Sequence, residues 1–195
     1  MRKSTNKIPE IVSVEERHKG WSRLLIASLR LASGEIIKRE IEDHGSAVCV
    51  LPYDPVRRTA IVVRQFRTPI LYAGEDPMLI EAIAGLAEGD DPAACARREA
   101  MEEAGLRLGA IEPVARGWSM PGISTERMDL FLAAYALADR VAPGGGLAEE
   151  HEDIEVIELP LRTLAEMADA GKLTDMKTLA LVQTLRVRKP ELFGR

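Results

Sequence analysis

The chain has 195 residues, of which 46% are hydrophobic, and its formal net charge is −5. This composition predicts a protein that buries an adequate core without disulfides. The negative charge argues against nucleic-acid binding, which needs a basic surface. No stretch approaches the roughly 18 consecutive apolar residues of a membrane-spanning helix, and the basic N-terminus has no apolar segment behind it. We therefore expect a soluble, cytoplasmic protein with neither a membrane nor a nucleic acid as partner.

The first third of the sequence has the alternating apolar pattern of β-strands. Residues 21–42 predict a β-hairpin, and after a break at Gly45 a second pair of strands is predicted over residues 47–51 and 60–66. Two cysteines, Cys49 and Cys95, have neither a CxxC spacing nor a nearby histidine cluster. Both are therefore predicted to be reduced, buried thiols.

A helix is predicted over residues 93–104, because Asp91 suits its N-cap, Pro92 its first turn and Gly105 its C-terminal end. Later elements are two strands and two amphipathic helices, over residues 128–135, 154–159, 161–170 and 176–187. The order of elements predicts an α/β protein, with a helix–sheet–helix sandwich over residues 45–195 and a β-module over residues 1–44.

The predicted helix carries three glutamates, Glu99, Glu102 and Glu103, within one turn and on one face. Like charges at this spacing repel, and the last two also stand at the negative end of the helix dipole. The arrangement becomes favourable if the carboxylates bind a hard divalent cation such as Mg²⁺. The alternative is a solvated helix face on which Arg98 pairs with Glu102.

The run Arg98-Glu99-Ala100-Met101-Glu102-Glu103-Ala104-Gly105-Leu106, with Ala84-Gly85 upstream, resembles the motif of the Nudix hydrolases. In one respect the sequence departs from that motif. The loop before the helix is one residue short, so Asp91 stands one position closer to Arg98 than the first acidic residue of the motif. Asp91 is therefore interpreted as the helix N-cap, and the resemblance implies an α/β/α sandwich.

Further segments resemble the Nudix branch that acts on nucleoside-diphosphate sugars, as GDP-mannose and ADP-ribose pyrophosphatases do. They are Arg39-Glu40, Arg64-Gln65-Phe66-Arg67, Ile80 to Gly85, Met120-Pro121-Gly122, Ser124-Thr125-Glu126 and Gly144-Gly145-Gly146. The short loop and the triple glycine are closer to the GDP-mannose group, and Ser124 to Arg127 are closer to the ADP-ribose group. The resemblance favours GDP-mannose and leaves ADP-ribose, or a broader range of sugars, open.

The resemblance implies that the Ala84 carbonyl, Glu99 and Glu103 bind Mg²⁺, or Mn²⁺ as a substitute, and that Glu102 joins them when substrate is bound. Arg98 and Glu103 are the expected catalytic residues of the helix. Glu152 is the expected general base, in a loop that the triple glycine allows to close. Glu149, Glu150 and Asp153 compete for this role, and an acidic solvent-exposed loop is the alternative.

Substrate contacts are expected from residues scattered along the chain. Arginine suits phosphate, because its planar guanidinium is always charged. Arg39, Arg64 and Arg67 are therefore the candidates for binding phosphate and sugar. Arg64 and Arg67 would face opposite ways in a regular strand, so either the strand bends there or only one of them reaches the substrate, and a surface arginine is the alternative. The substrate-binding residues implied by the resemblance are Trp21, Arg39, Glu40, Arg64, Arg67, Met120, Gly122 and Glu126.

Trp21 corresponds in position to an aromatic residue that stacks on the base in GDP-mannose enzymes, although it could also be a core residue. Glu126 could contact the sugar or be an exposed charge at a strand end. The resemblance also implies a homodimer, formed by the N-terminal β-module, in which each subunit completes the other's site.

Two rival functions are disfavoured by the sequence. An isopentenyl-diphosphate isomerase needs a catalytic cysteine with metal-binding histidines, and the three histidines, His18, His44 and His151, form no cluster with a cysteine. A non-enzymatic sensor of nucleotide sugars would be expected to lose the glutamates of the motif, which this chain keeps.

Overall fold

A computed structural model describes residues 8–87, 89, 91–146 and 153–194. The expected base Glu152, with its competitors Glu149 and Glu150, lies outside these described residues. The chain divides into two compact units. The first comprises the chain up to Ser46 together with Gly117–Arg127, and the second comprises Ala47–Arg116 together with the chain from Met128 onward. The contribution of Gly117–Arg127 to the first unit is not evident from the sequence.

The first unit contains a three-stranded antiparallel sheet of β1 (Glu10–Lys19), β2 (Arg23–Arg30) and β3 (Ile36–Asp43), in that order. Strands β2 and β3 are the predicted hairpin. Strand β1 is missing from the prediction, because it is exposed along its whole length and so lacks the alternation that burial of one face imposes.

The remaining strands form a seven-stranded sheet in which β4 pairs in parallel with β9. Its path is β10-β5-β4-β9-β8, with β6 added to β5 and β7 added to β4. The strands are β4 (Ser46–Asp54), β5 (Thr59–Phe66), β6 (Met78–Glu81), β7 (Ile83–Ala87), β8 (Glu112–Trp118), β9 (Arg127–Ala134) and β10 (Glu155–Pro160).

Four α-helices are described: α1 (Thr68–Tyr72), α2 (Pro92–Ala104), α3 (Leu161–Asp169) and α4 (Met176–Arg188). The last three are the predicted helices. The sequence pattern predicts neither α1, which has only five residues, nor β8, whose residues are mostly exposed. None of the described helices has the length and apolar character needed to cross a membrane.

Alternate residues of β4 face opposite sides of the sheet, as the pleat requires. Val48 and Val50 share a buried cluster with Ala96 and Ala100 of α2. On the other side, Cys49, Leu51 and Tyr53 belong to a cluster with residues of α3 and α4, namely Leu161, Leu164, Leu181 and Leu185. The predicted α/β/α sandwich is therefore confirmed, with α2 on one face of the sheet and α3 and α4 on the other.

Candidate active site

Helix α2 begins and ends as the sequence predicts. The Asp91 carboxylate accepts a hydrogen bond from the Ala94 N–H at 3.0 Å, so Asp91 is the N-cap, and Pro92 occupies the first turn. Gly105 ends the helix in the left-handed conformation, with φ of 64°, and its N–H donates to the Met101 carbonyl at 3.0 Å. These caps fix where the helical glutamates lie relative to β7.

Two of the three glutamates are buried against β7. A Cβ built on Gly85 would lie 2.1 Å from the carboxyl carbon of Glu99, so only glycine leaves room for that carboxylate. The Ala84 N–H donates to the Glu103 carboxylate at 3.3 Å. Glu99 is 9% exposed and Glu103 is 2% exposed. The alternative of a solvated helix face is therefore wrong for these two residues.

Arg98 bridges the remaining glutamate and Glu99. Its guanidinium lies 2.7 Å from a Glu99 oxygen and 2.8 Å from a Glu102 oxygen. Partial burial would lower the pKa of Arg98, but the charges of Glu99 and Glu102 raise it. The Arg98–Glu102 ion pair of the alternative interpretation is thus present. Arg98 also pairs with Glu99, so the ion pair is part of the acidic cluster.

The residues at this place suit a divalent cation. Carboxylates and backbone carbonyls are the hard oxygen donors that Mg²⁺ prefers, and the absence of a side chain at Gly85 leaves a recess that the Glu99 carboxylate occupies. Among the described residues, no three His, Cys, Asp or Glu side chains are grouped closely enough to hold a metal ion. An ion held here would have the carboxylates of Glu99 and Glu103, the Ala84 carbonyl and water as its donors.

The triple glycine anchors its loop on the C-terminal end of α2. The Gly145 N–H donates to the Glu103 carbonyl at 2.8 Å, and the Gly146 N–H donates to the Glu102 carbonyl at 3.2 Å. Gly144 has a φ of 75°, and a Cβ on it would lie 2.4 Å from the Glu103 carbonyl oxygen. The segment that leads to the acidic loop therefore begins beside the glutamates of α2.

Two of the three arginines expected to bind phosphate and sugar, Arg64 and Arg67, have different environments. Arg64, in β5, makes an exposed ion pair with Glu155 at 2.9 Å. Arg67 follows the end of β5 and makes a bidentate contact with the buried Glu81, at 2.6 and 2.9 Å. Burial would raise the pKa of Glu81, but the hydrogen bond from Arg67 and the charge of Lys177 lower it. The Arg67 side chain remains 40% exposed.

The first unit contains an exposed tryptophan stacked on a half-buried histidine. Trp21 is 76% exposed, so the alternative of a core residue is wrong. Its ring stacks on His44 with centroids 4.7 Å apart. The His44 ring lies between two carboxylates, with Nδ1 at 2.7 Å from Glu42 and Nε2 at 3.1 Å from Glu126. The Trp21 ring is therefore largely open to solvent, and the His44 ring on which it stacks is held in place by Glu42 and Glu126.

The same unit holds the other expected substrate-binding residues. The Glu126 side chain is only 18% exposed and contacts His44, so its interpretation as an exposed strand-end charge is wrong. The Ser124 hydroxyl donates to Glu42 at 2.7 Å, which ties the segment of Glu126 to the end of β3. The exposed residues of the set are Arg39, Glu40, Met120 and Gly122.

Sequence reasoning missed a polar group at the start of α4. Asp175 caps this helix by accepting from the Thr178 N–H at 3.0 Å, and Lys177 contacts both Asp175 and Glu81. The available signal was Asp-Met-Lys-Thr directly before an apolar helical run, which is an N-cap pattern. The partner Glu81 lies 96 positions away in the sequence, so the pattern alone could not reveal it.

Comparison with known proteins agrees with this geometry. The model of the NUDIX domain matches residues 43–179. A solved crystal structure of an ADP compounds hydrolase superposes with a TM-score of 0.75 over 95% of this chain and 96% of that chain. Its sequence identity of 17% shows a shared fold only. A sandwich of this class with carboxylates on the helix after β7 is the arrangement of a Nudix hydrolase, and the chain belongs to the Nudix family.

Curated relatives share more of the sequence. The GDP-mannose pyrophosphatase of Salmonella arizonae is 39% identical over 168 residues, which are 85% of this chain and 87% of the relative. That of Cronobacter sakazakii is 40% identical over 169 residues, with the same shares of both chains. The Escherichia coli protein of the same name is 39% identical over 157 residues, or 79% and 81%. The protein is thus a Nudix hydrolase, a class that generally requires a divalent metal.

Proposed function

We propose that this enzyme hydrolyses the pyrophosphate bond of a nucleoside-diphosphate sugar and that GDP-mannose is its preferred substrate. The observation that carries the proposal is the burial of Glu99 and Glu103 against Gly85 and Ala84. The names of relatives that share 39–40% of residues over most of both chains support the choice of GDP-mannose. ADP-ribose is the second candidate, favoured by the segment from Ser124 to Arg127.

The Ala84 carbonyl, Glu99 and Glu103 would hold Mg²⁺, or Mn²⁺ in its place, and Glu102 would join them when substrate is bound. The bound ion would lower the pKa of water and neutralise charge on the phosphate oxygens. Burial of Glu99 and Glu103 favours this role, because carboxylates in a site poor in water attract a cation strongly. Arg98, which bridges Glu99 and Glu102, would hold both in place before the ion binds.

In the reaction, water adds to one phosphorus of the diphosphate and the bond from that phosphorus to the bridging oxygen breaks. Glu152 would accept the proton of the water, and the products would be GMP and mannose 1-phosphate. The anchoring of Gly145 and Gly146 on α2 supports this role, because it starts the acidic loop beside Glu103. Asp153, which is exposed, is the described competitor for the base.

Trp21 would stack on the base, and its exposed ring on the fixed His44 ring supports this. Arg64 and Arg67 would bind phosphate, since each guanidinium keeps an exposed part beside its carboxylate partner. Arg39, Glu40, Met120, Gly122 and Glu126 complete the proposed set. We also propose a cytoplasmic homodimer formed by residues 1–44, in keeping with the exposure of β1 along its whole length.

The test is identification of the products that the full-length enzyme forms from GDP-mannose with Mg²⁺. Equal amounts of GMP and mannose 1-phosphate are expected, whereas GDP and free mannose would contradict cleavage at the pyrophosphate. Glu152→Gln should lower kcat by about 10²–10⁴, and Asp153→Asn should leave kcat near that of the wild type. The reverse result would transfer the role of base to Asp153.

A further inference from the structure

Two residues at the start of α4, Thr178 and Lys177, contact the chain just before the proposed metal site, and Asp175 contacts both of them. The Thr178 hydroxyl accepts a hydrogen bond from the Ala82 N–H at 2.6 Å. Lys177 forms an ion pair with Glu81 and, at 3.0 Å, with Asp175. The Asp175 carboxylate in turn accepts from the Thr178 hydroxyl and from the Thr178 N–H. Residues 81 and 82 are therefore both held by one helical turn.

This polar group is buried, and its members form hydrogen bonds and ion pairs with one another. Thr178 is 0% exposed, Ala82 is 0% exposed and Glu81 is 2% exposed. Glu81 also accepts two hydrogen bonds from Arg67. A buried polar group of this kind restricts the backbone that it contacts, because each displaced partner would leave a desolvated donor or acceptor.

The backbone held here continues directly into the proposed metal site. Ala84 lies two residues beyond Ala82, and Gly85, which contacts Glu99, follows it. Strand residues rise by about 3.3 Å each, so the two places are only about 7 Å apart along the chain. Metal–ligand distances are expected to lie within about 0.2 Å of their usual values, so we expect a small shift of the backbone at Ala82 to disturb the site.

We infer that Thr178 and Lys177 are positioning residues for the metal site: they fix the backbone of residues 81–85 and so place the Ala84 carbonyl and the recess of Gly85. This inference rests on the proposed function, in which that carbonyl, Glu99 and Glu103 hold the cation. The hydroxyl of Thr178 is the decisive group, because it alone among the helix side chains contacts the backbone at Ala82 in the described hydrogen bonds.

The test is binding of Mn²⁺ to the full-length protein without substrate, followed by electron paramagnetic resonance of the free ion. Thr178→Val keeps the shape of the side chain and removes its hydroxyl, and it should weaken Mn²⁺ binding about tenfold or more, as loss of groups that support metal ligands does. Thr178→Ser restores the hydroxyl and should bind Mn²⁺ as the wild type does.

Leu185→Ala is the matched control for loss of stability. Leu185 is buried in the same helix but belongs to the apolar cluster, so its truncation should lower Tm while Mn²⁺ affinity stays unchanged. If Thr178→Val binds Mn²⁺ like the wild type, or if Leu185→Ala weakens binding as much, the inference is wrong. If Thr178→Val does not fold, Lys177→Met is tested in the same assay. We expect Lys177→Met to bind Mn²⁺ more weakly than the wild type, and unchanged binding would contradict the inference.

Glu103→Gln separates this inference from the function on which it rests. If the wild type fails to bind Mn²⁺, or if Glu103→Gln binds it equally well, the proposed metal site itself is wrong. If Glu103→Gln loses binding while Thr178→Val retains it, the metal site stands and only the positioning role fails.

Discussion

The Glu99 carboxylate lies against the α-carbon of Gly85, where a Cβ would be 2.1 Å from its carboxyl carbon and 2.3 Å from one of its oxygens. Gly85→Ala would therefore displace that carboxylate. Because the obstructing atoms are the end of a flexible side chain, we expect a small loss of stability. Hydrolysis should fall about a hundredfold or more, since a misplaced catalytic group costs that much.

The control for Gly85→Ala is Gly109→Ala, where an added Cβ meets no atom within 4 Å. Steady-state kinetics and a thermal melt of both variants check the prediction. An active Gly85→Ala enzyme would show that Glu99 does not need the recess.

The ion pair of Arg67 with Glu81 should matter more for stability than that of Arg64 with Glu155. Glu81→Gln leaves Arg67 and Lys177 facing a neutral group in a buried place, and we expect a loss of about 3 kcal/mol in the free energy of unfolding. Glu155 is 56% exposed, so Glu155→Gln should cost less than about 1 kcal/mol. Urea denaturation of both variants is the measurement, and equal losses would contradict the difference in burial.

His44 should make the stability of the first unit depend on pH. Burial would lower the pKa of His44, but the hydrogen bonds that its ring donates to Glu42 and Glu126 raise it above 6.5. Burial would raise the pKa of Glu42, but Ser124 and His44 lower it below 4.5. The contribution of His44 to the free energy of unfolding is fully present below the pKa of His44 in the unfolded chain, and it is lost as pH rises through the pKa of His44 in the folded protein. The contribution of Glu42 is present above the pKa of Glu42 in the unfolded chain, and it is lost as pH falls through the pKa of Glu42 in the folded protein.

The two contributions therefore coincide between pH 4.5 and pH 6.5. The free-energy difference between the wild type and His44→Gln, which cannot gain a proton, should be largest in this window. It should shrink by about pH 9, where an ordinary histidine is neutral. A difference that stays constant between these conditions would contradict a charged His44.

Trp21 should affect substrate binding and leave the chemical step intact. Stacking of a base on an aromatic side chain contributes about 1–3 kcal/mol, so Trp21→Ala should raise KM for GDP-mannose about tenfold. The value of kcat should change little, and Trp21→Phe should retain most of the affinity. Tyr72→Ala is the control, because Tyr72 is an aromatic residue that is 94% exposed and belongs to the other unit. Equal effects of the two alanine variants would contradict stacking on Trp21.

The sequence predicts the central helix well, because its caps and its glutamate spacing are local. Asp91, Pro92 and Gly105 delimit α2 as expected. The spacing of Glu99, Glu102 and Glu103 predicts a shared face, but it cannot show which are buried. That depends on β7, whose Gly85 leaves room for the Glu99 carboxylate and whose Ala84 N–H donates to Glu103.

Features that depend on distant partners could not be predicted in the same way. Thr178 and Ala82 are 96 positions apart, and His44 and Glu126 are 82 apart, so no local pattern connects them. Strand β1 escaped prediction for a different reason. Both of its faces are exposed, so its sequence was not constrained to alternate.

The most direct test of the central claim compares kcat/KM for GDP-mannose, ADP-ribose and GTP, with Mg²⁺, in the wild type and in Glu103→Gln. We predict that GDP-mannose is the best substrate and that GTP is not hydrolysed. Glu103→Gln should lose about a thousandfold, since a metal ion contributes several kcal/mol to such a transition state. Preferred hydrolysis of GTP, no turnover of any nucleotide sugar, or an unaffected Glu103→Gln enzyme would contradict the account.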